Sequence, residues 1–122
     1  MAGYTQAYSQ TTLDANHPTS ANGDHIAYST NGSSEFAGFT RTPIGATGWA
    51  AATAAQPSVK ANNAILTSAA ATSGGTVTHF AVYSAITAGT QKTDWTALTA
   101  SRTVATNDTL QWAIGALAIT MD

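Results

Sequence analysis

The sequence predicts an all-β protein: an antiparallel β-sandwich or jelly roll of about 6–8 strands, preceded by an extended N-terminal arm. Three observations point there. First, no window of about a dozen residues carries a clean i, i+3, i+4, i+7 apolar set, so the many alanines do not add up to an amphipathic helix. Second, several stretches alternate apolar and polar residues with a period of two. Third, turn formers such as Asn31-Gly32-Ser33-Ser34 and Asn107-Asp108 punctuate those stretches at short intervals.

Residues 1–23 are polar, with Tyr4, Tyr8 and Leu13 as their sizeable apolar groups. They read as an arm, either flexible or extended against a partner, and residues 24–122 as one β domain. Tyr4 and Tyr8 lie four apart and would share a face of an extended chain. A first strand covers Asp24–Thr30, with Ile26 and Tyr28 on one face. A second covers Glu35–Ile44; its parity slips at Gly38, and Pro43 marks an edge or an end. Gly45–Pro57 is a loop carrying Trp49. Ser58–Thr67 forms a third strand. Thr76–Ile86 has apolar residues on both faces, the mark of a central strand covered on both sides. Thr93–Val104 follows. Asn107–Asp122 closes the chain as one long strand: Leu110, Trp112 and Ile114 lie in one phase, Leu117, Ile119 and Met121 in the other. The phase change at Gly115 predicts a bulge.

Charge narrows the function. Asp, Glu, Lys and Arg make up 8% of the chain, against about 25% in ordinary domains. The net charge is −2, and no Lys/Arg cluster exists, which argues against nucleic acid or anionic lipid as a partner. A surface so poor in charge gives little protection against self-association. Both a permanent seat in an assembly and a monomer kept in solution by hydroxyls and amides fit the composition. No apolar run approaches the roughly 18 residues of a membrane span. The first residues lack the basic and apolar regions of a signal peptide. Without cysteine there is neither a disulfide nor a thiolate.

Catalytic and metal signatures are not found. His17, His25 and His79 have no ligand spacing, and His79 reads as a hydrogen-bonded structural histidine. Gly74-Gly75 leads into a strand, so it is no phosphate loop. No nucleophile elbow occurs. Asp14, Asp24, Glu35, Asp94, Asp108 and Asp122 are scattered, mostly at turns, and read as caps and solvated groups. No catalytic, cofactor or metal residue is assigned, and no cofactor is expected. Trp112 is placed in the core. The candidate partner-interface residues are Tyr4, Tyr8, Trp49 and Trp95, because exposed aromatics anchor interfaces.

The C-terminal half carries a pattern: Gly75–Ala85 (GTVTHFAVYSA), Thr103-Val104, Asp108-Thr109-Leu110 and Gly115–Thr120 (GALAIT). With the stretch from His25 to Thr53 and the Lys60–Leu66 strand, it resembles a family of small tailed-phage virion proteins, over about residues 24–122. Asn107 stands where that family often has Gly, and residues 1–23 fall outside the likeness. The resemblance implies a non-enzymatic structural protein of the virion. It favours decoration of the capsid exterior after assembly in the host cytoplasm, by binding the major capsid protein. Self-association on the particle is implied too, with a trimer as one form. A tail or tail-tip component bound to tail proteins, and a host-surface or carbohydrate-binding module using the aromatics, are the alternatives.

Overall fold

The computed structural model describes residues 5–19, 23–45, 48–55 and 57–121. Along the chain run α1 (Gln6–Asn16), β1 (His25–Ser29), β2 (Thr42–Pro43), β3 (Ser58–Ala61), β4 (Leu66–Thr67), β5 (Gly75–Tyr83), β6 (Thr96–Val104), β7 (Gln111–Trp112) and β8 (Ala118–Met121). The fold is all-β with one short helix, and its assigned strand pairs are antiparallel. The chain divides into two compact units. The first gathers Met1–Asn22, Ile44–Ile65 and Trp112–Asp122; the second holds Gly23–Pro43 and Leu66–Gln111.

In the first unit the expected extended arm is corrected: Gln6–Asn16 is helical. Thr5 caps it, its Oγ1 accepting from Tyr8 N at 3.3 Å. Ser9 and Leu13, one turn apart, are its buried positions. Only one of the two is apolar, so the helical period is too faint to read. A spacing of four, as between Tyr4 and Tyr8, also serves a helix turn as well as a strand face. The helix packs on β3 and β8, which pair Ser58↔Met121 through Ala61↔Ala118. Ser58, Lys60 and Asn62 are the buried residues of the β3 region. The protected face is thus the polar one. Leu13, Ile44, Trp49, Ala52, Leu117 and Ile119 supply apolar core.

Two further strand expectations are corrected here. Ser58–Thr67 is not continuous but breaks between β3 and β4. Asn107–Asp122 is not one bulged strand: β7 and β8 are separated by a turn in which Ala116 N donates to Ala113 O at 3.0 Å. Gly115 sits in that turn at φ +82, a conformation costly to residues with a Cβ. The parity changes across this turn rather than by one residue inserted into a continuous ladder. Asn62 holds the turn. Its side-chain amide donates to Ala64 O and Ala113 O, both at 2.9 Å, and its Oδ1 accepts from Leu117 N at 3.0 Å. Its backbone accepts from Gly115 N and donates to Leu117 O.

The second unit is built on a four-stranded sheet in the order β2-β1-β5-β6. β5 is central, as its two apolar faces predict. Ile26, Tyr28, Val77, Phe80 and Val82 are buried, and Tyr28 pairs with Phe80 across the strands. Both sheet edges are blunted. β2 is two residues long and contains Pro43, which cannot donate to a ladder. β6 pairs Val77↔Arg102 and resumes at His79↔Ala97, so residues 98–101 bulge out opposite Thr78 alone. Short edges, proline and bulges all discourage edge-to-edge pairing. The Glu35–Ile44 strand is corrected as well, since only Thr42–Pro43 is in a strand. Residues 35–41 fold back as a loop. At Gly38 a Cβ would come within 2.3 Å of the Phe36 ring, so this backbone lies too close to Phe36 to carry a side chain.

Candidate functional site

The four residues expected at an interface have different fates. Tyr4 lies outside the described residues. Tyr8 is exposed on α1 in the first unit. The expectation for Trp49 is corrected: it is 0% exposed. His17 packs edge-on against its ring at 5.7 Å, and the Trp49 backbone N–H donates to Pro18 O at 3.1 Å. Loop position made it look available, but bridge pairing with Asn62 turns the segment inward. Trp95, in the second unit, is half-buried beside Tyr83, with ring centroids 6.2 Å apart and tilted by 52°.

Around Trp95 and Tyr83 the second unit builds a braced surface. Tyr83 ends β5, and its hydroxyl donates to Gln91 Oε1 at 3.1 Å. The Arg41 guanidinium lies 3.8 Å from the centre of the Tyr83 ring, a cation–π contact. Its Nε and Nη2 donate to the two carboxylate oxygens of Glu35, each at 2.8 Å. Its Nη1 donates to Ala85 O at 2.9 Å and Ala88 O at 2.7 Å. The Glu35 hydrogen bond holds the guanidinium pKa above its ordinary value, with burial opposing. A planar fork suits this double task. It closes the 35–41 loop and pins the 84–90 loop, where Ala88 takes φ 53 and Gly89 φ 72. Ser84 Oγ, accepting from Thr90 N at 2.8 Å, closes that loop's base. Between the two loops lies an open cleft of about 370 Å³, lined by Glu35, Phe36, Phe39, Arg41, Ile86 and Thr87.

The acids do more than cap turns. Asp108 does cap one, accepting from Ala105 N at 2.9 Å. Glu35, however, pairs with Arg41, Asp24 with Lys92 at 2.6 Å, and Asp14 with Lys60 at 2.5 Å. Each pair joins positions far enough apart in sequence that no local pattern announces it. His79 Nδ1 lies 2.8 Å from Thr78 Oγ1, with its ring against Gly32. Among the described residues there is no cluster of three or more His, Cys, Asp or Glu capable of holding a metal ion. The arrangement offers a partner aromatic area, an aliphatic rim and exposed hydroxyls on loops that are already fixed.

A family model described as podophage GP4 fiber I protein gp80 matches residues 5–120. No curated protein matches the chain.

Proposed function

The chain belongs to the podophage GP4 fiber I protein gp80 family, and from that premise we propose that it is a non-catalytic component of an external virion fibre, seated on the capsid exterior. That it is a phage virion structural protein of fibre type follows from the family itself. The proposal adds the seat and the mode of action. The observation that carries it is the extent of the match, which takes in α1 and both units rather than one motif.

The mode of action is mechanical. A fibre component holds its shape under load and presents fixed surfaces to its neighbours. The ion pair of Arg41 with Glu35 and the clasp around Asn62 fix loops in this way. Blunted sheet edges suit a poorly charged protein that has to assemble only where intended. The capsid seat is the reading we favour from the likeness of residues 24–122 to small tailed-phage virion proteins, a group that takes in capsid-decoration, head-fibre and tail components. Immunogold labelling of purified virions with an antibody to this chain tests it. Label on the head is the expected result. Label confined to the tail overturns the seat while leaving the fibre assignment standing.

A further inference from the structure

We propose that Ile65 and Ile114 form a preorganised knob by which this chain docks into an uncharged apolar pocket on a neighbouring protein subunit of the virion. The inference rests on the virion fibre reading and adds the surface through which the association is made.

Ile65 and Ile114 are 60% and 64% exposed, more than any other large apolar residue in the described part of the chain. They belong to different loops of the first unit, yet both loops are tied to one atom. Asn62 Nδ2 donates to Ala64 O and to Ala113 O at 2.9 Å each. Each of those carbonyls immediately precedes an exposed isoleucine, so the two carbonyl oxygens lie within twice that distance of each other. Asn62 itself is 0% exposed, and further bonds to Leu117 and Gly115 hold it. Ala113, Gly115 and Ala116 beside the isoleucines are exposed as well. These bonds hold the two stretches of backbone that carry the exposed isoleucines. Preorganisation lowers the cost of ordering an interface when a partner arrives.

The composition of the knob selects its partner. Neither Ala61–Ile65 nor Trp112–Met121 contains an ionisable side chain. A nucleic acid or an anionic membrane calls for basic residues, and a charged peptide for an opposite charge. An uncharged apolar pocket matches what is there. A second copy is the weaker candidate: it would set one convex knob against another and bury less of each isoleucine than a pocket does, and either contact falls well short of the roughly 800 Å² per partner of an interface stable by itself. Such a contact holds only where other contacts in the particle bring the partners together.

The test is virion occupancy by quantitative mass spectrometry, for phage carrying the wild-type chain, Ile65→Ser with Ile114→Ser, Ile114→Ser alone, or Ala55→Ser, an exposed position that belongs to neither surface. Circular dichroism and thermal unfolding of each isolated protein check that the fold is kept. The expected result is wild-type occupancy for Ala55→Ser, a fall on the order of ten-fold or more for the double variant, and a smaller fall for Ile114→Ser. Wild-type occupancy for a folded double variant overturns the proposal. Loss of self-association in sedimentation, with occupancy unchanged, assigns the knob to a second copy and also overturns it. Absence of the wild-type chain from virions refutes the fibre reading and this inference together.

Discussion

Asn62 shows how much one buried side chain governs. Its amide and carbonyl satisfy Ala64 O, Ala113 O and Leu117 N. Truncation would leave Leu117 N short of a partner in a buried place, and the carbonyls of half-buried Ala64 and exposed Ala113 dependent on water. A buried group left unpaired costs about 1–3 kcal/mol. Asn62→Ala is therefore expected to destabilise the protein by about 2 kcal/mol in urea unfolding, and a loss below about 1 kcal/mol would show that water replaces the side chain. The role of position 62 was not legible in the sequence: within the expected Ser58–Thr67 strand an Asn reads as a solvent-facing polar residue until its remote partners are known. Trp49 and Trp95 present the same problem, both lying near loops. What separates them is tertiary: Trp49 meets His17 and the Asn62 bridge, whereas Trp95 leans on Tyr83 at the surface. Trp112 was easier, because its strand phase already pointed inward, and it is buried.

Among the elements, β1 and β5 were plain in the sequence because their buried residues are apolar and alternate or run together. The β3 region was legible as a strand, but its break after Ala61 and its inward face of Ser58, Lys60 and Asn62 were not, because the buried side is the polar one. α1 was hidden by the same inversion, since Ser9 stands where an apolar residue would have completed the period. The helix sits over β3 with Lys60, 0% exposed, bound to Asp14 on the helix. Asp14 also accepts from Ala52 N at 3.0 Å. The Lys60 hydrogen bond, then the Ala52 bond, hold its carboxyl below the ordinary 3.8. A group whose folded pKa is depressed contributes stability above its unfolded pKa and loses it as pH falls through the folded one. The docking of α1 thus weakens below about pH 3.8, as Asp14 takes up a proton and Lys60 loses its counter-charge. Asp14→Asn is expected to lower stability at pH 7, because Lys60 stays buried without its carboxylate. It is also expected to flatten the acid limb of the stability curve measured by urea unfolding from pH 6 to pH 2. An acid limb as steep as wild type would show that Asp14 does not anchor the helix.

At the scale of the molecule, the low charge, the guarded edges and the family form one account. A chain with 8% charged residues has little electrostatic defence against association. It relies on shape: a two-residue proline edge at β2 and a bulged edge at β6. The apolar surface it leaves open lies at Ile65 and Ile114 in the first unit and at Ile86 and half-buried Trp95 in the second. The fold class could be read from period and turns, because those are local. The division into two units could not, because each is assembled from separate segments of the chain. The resemblance of residues 24–122 led to the virion, and the family match over 5–120 identifies a fibre protein. The central claim is that the protein is a structural part of the particle. Quantitative mass spectrometry of density-purified virions tests it most directly. The account predicts this chain at a fixed ratio to the major capsid protein through successive gradients. Its presence only in the infected-cell lysate, with none in the particle band, would contradict it.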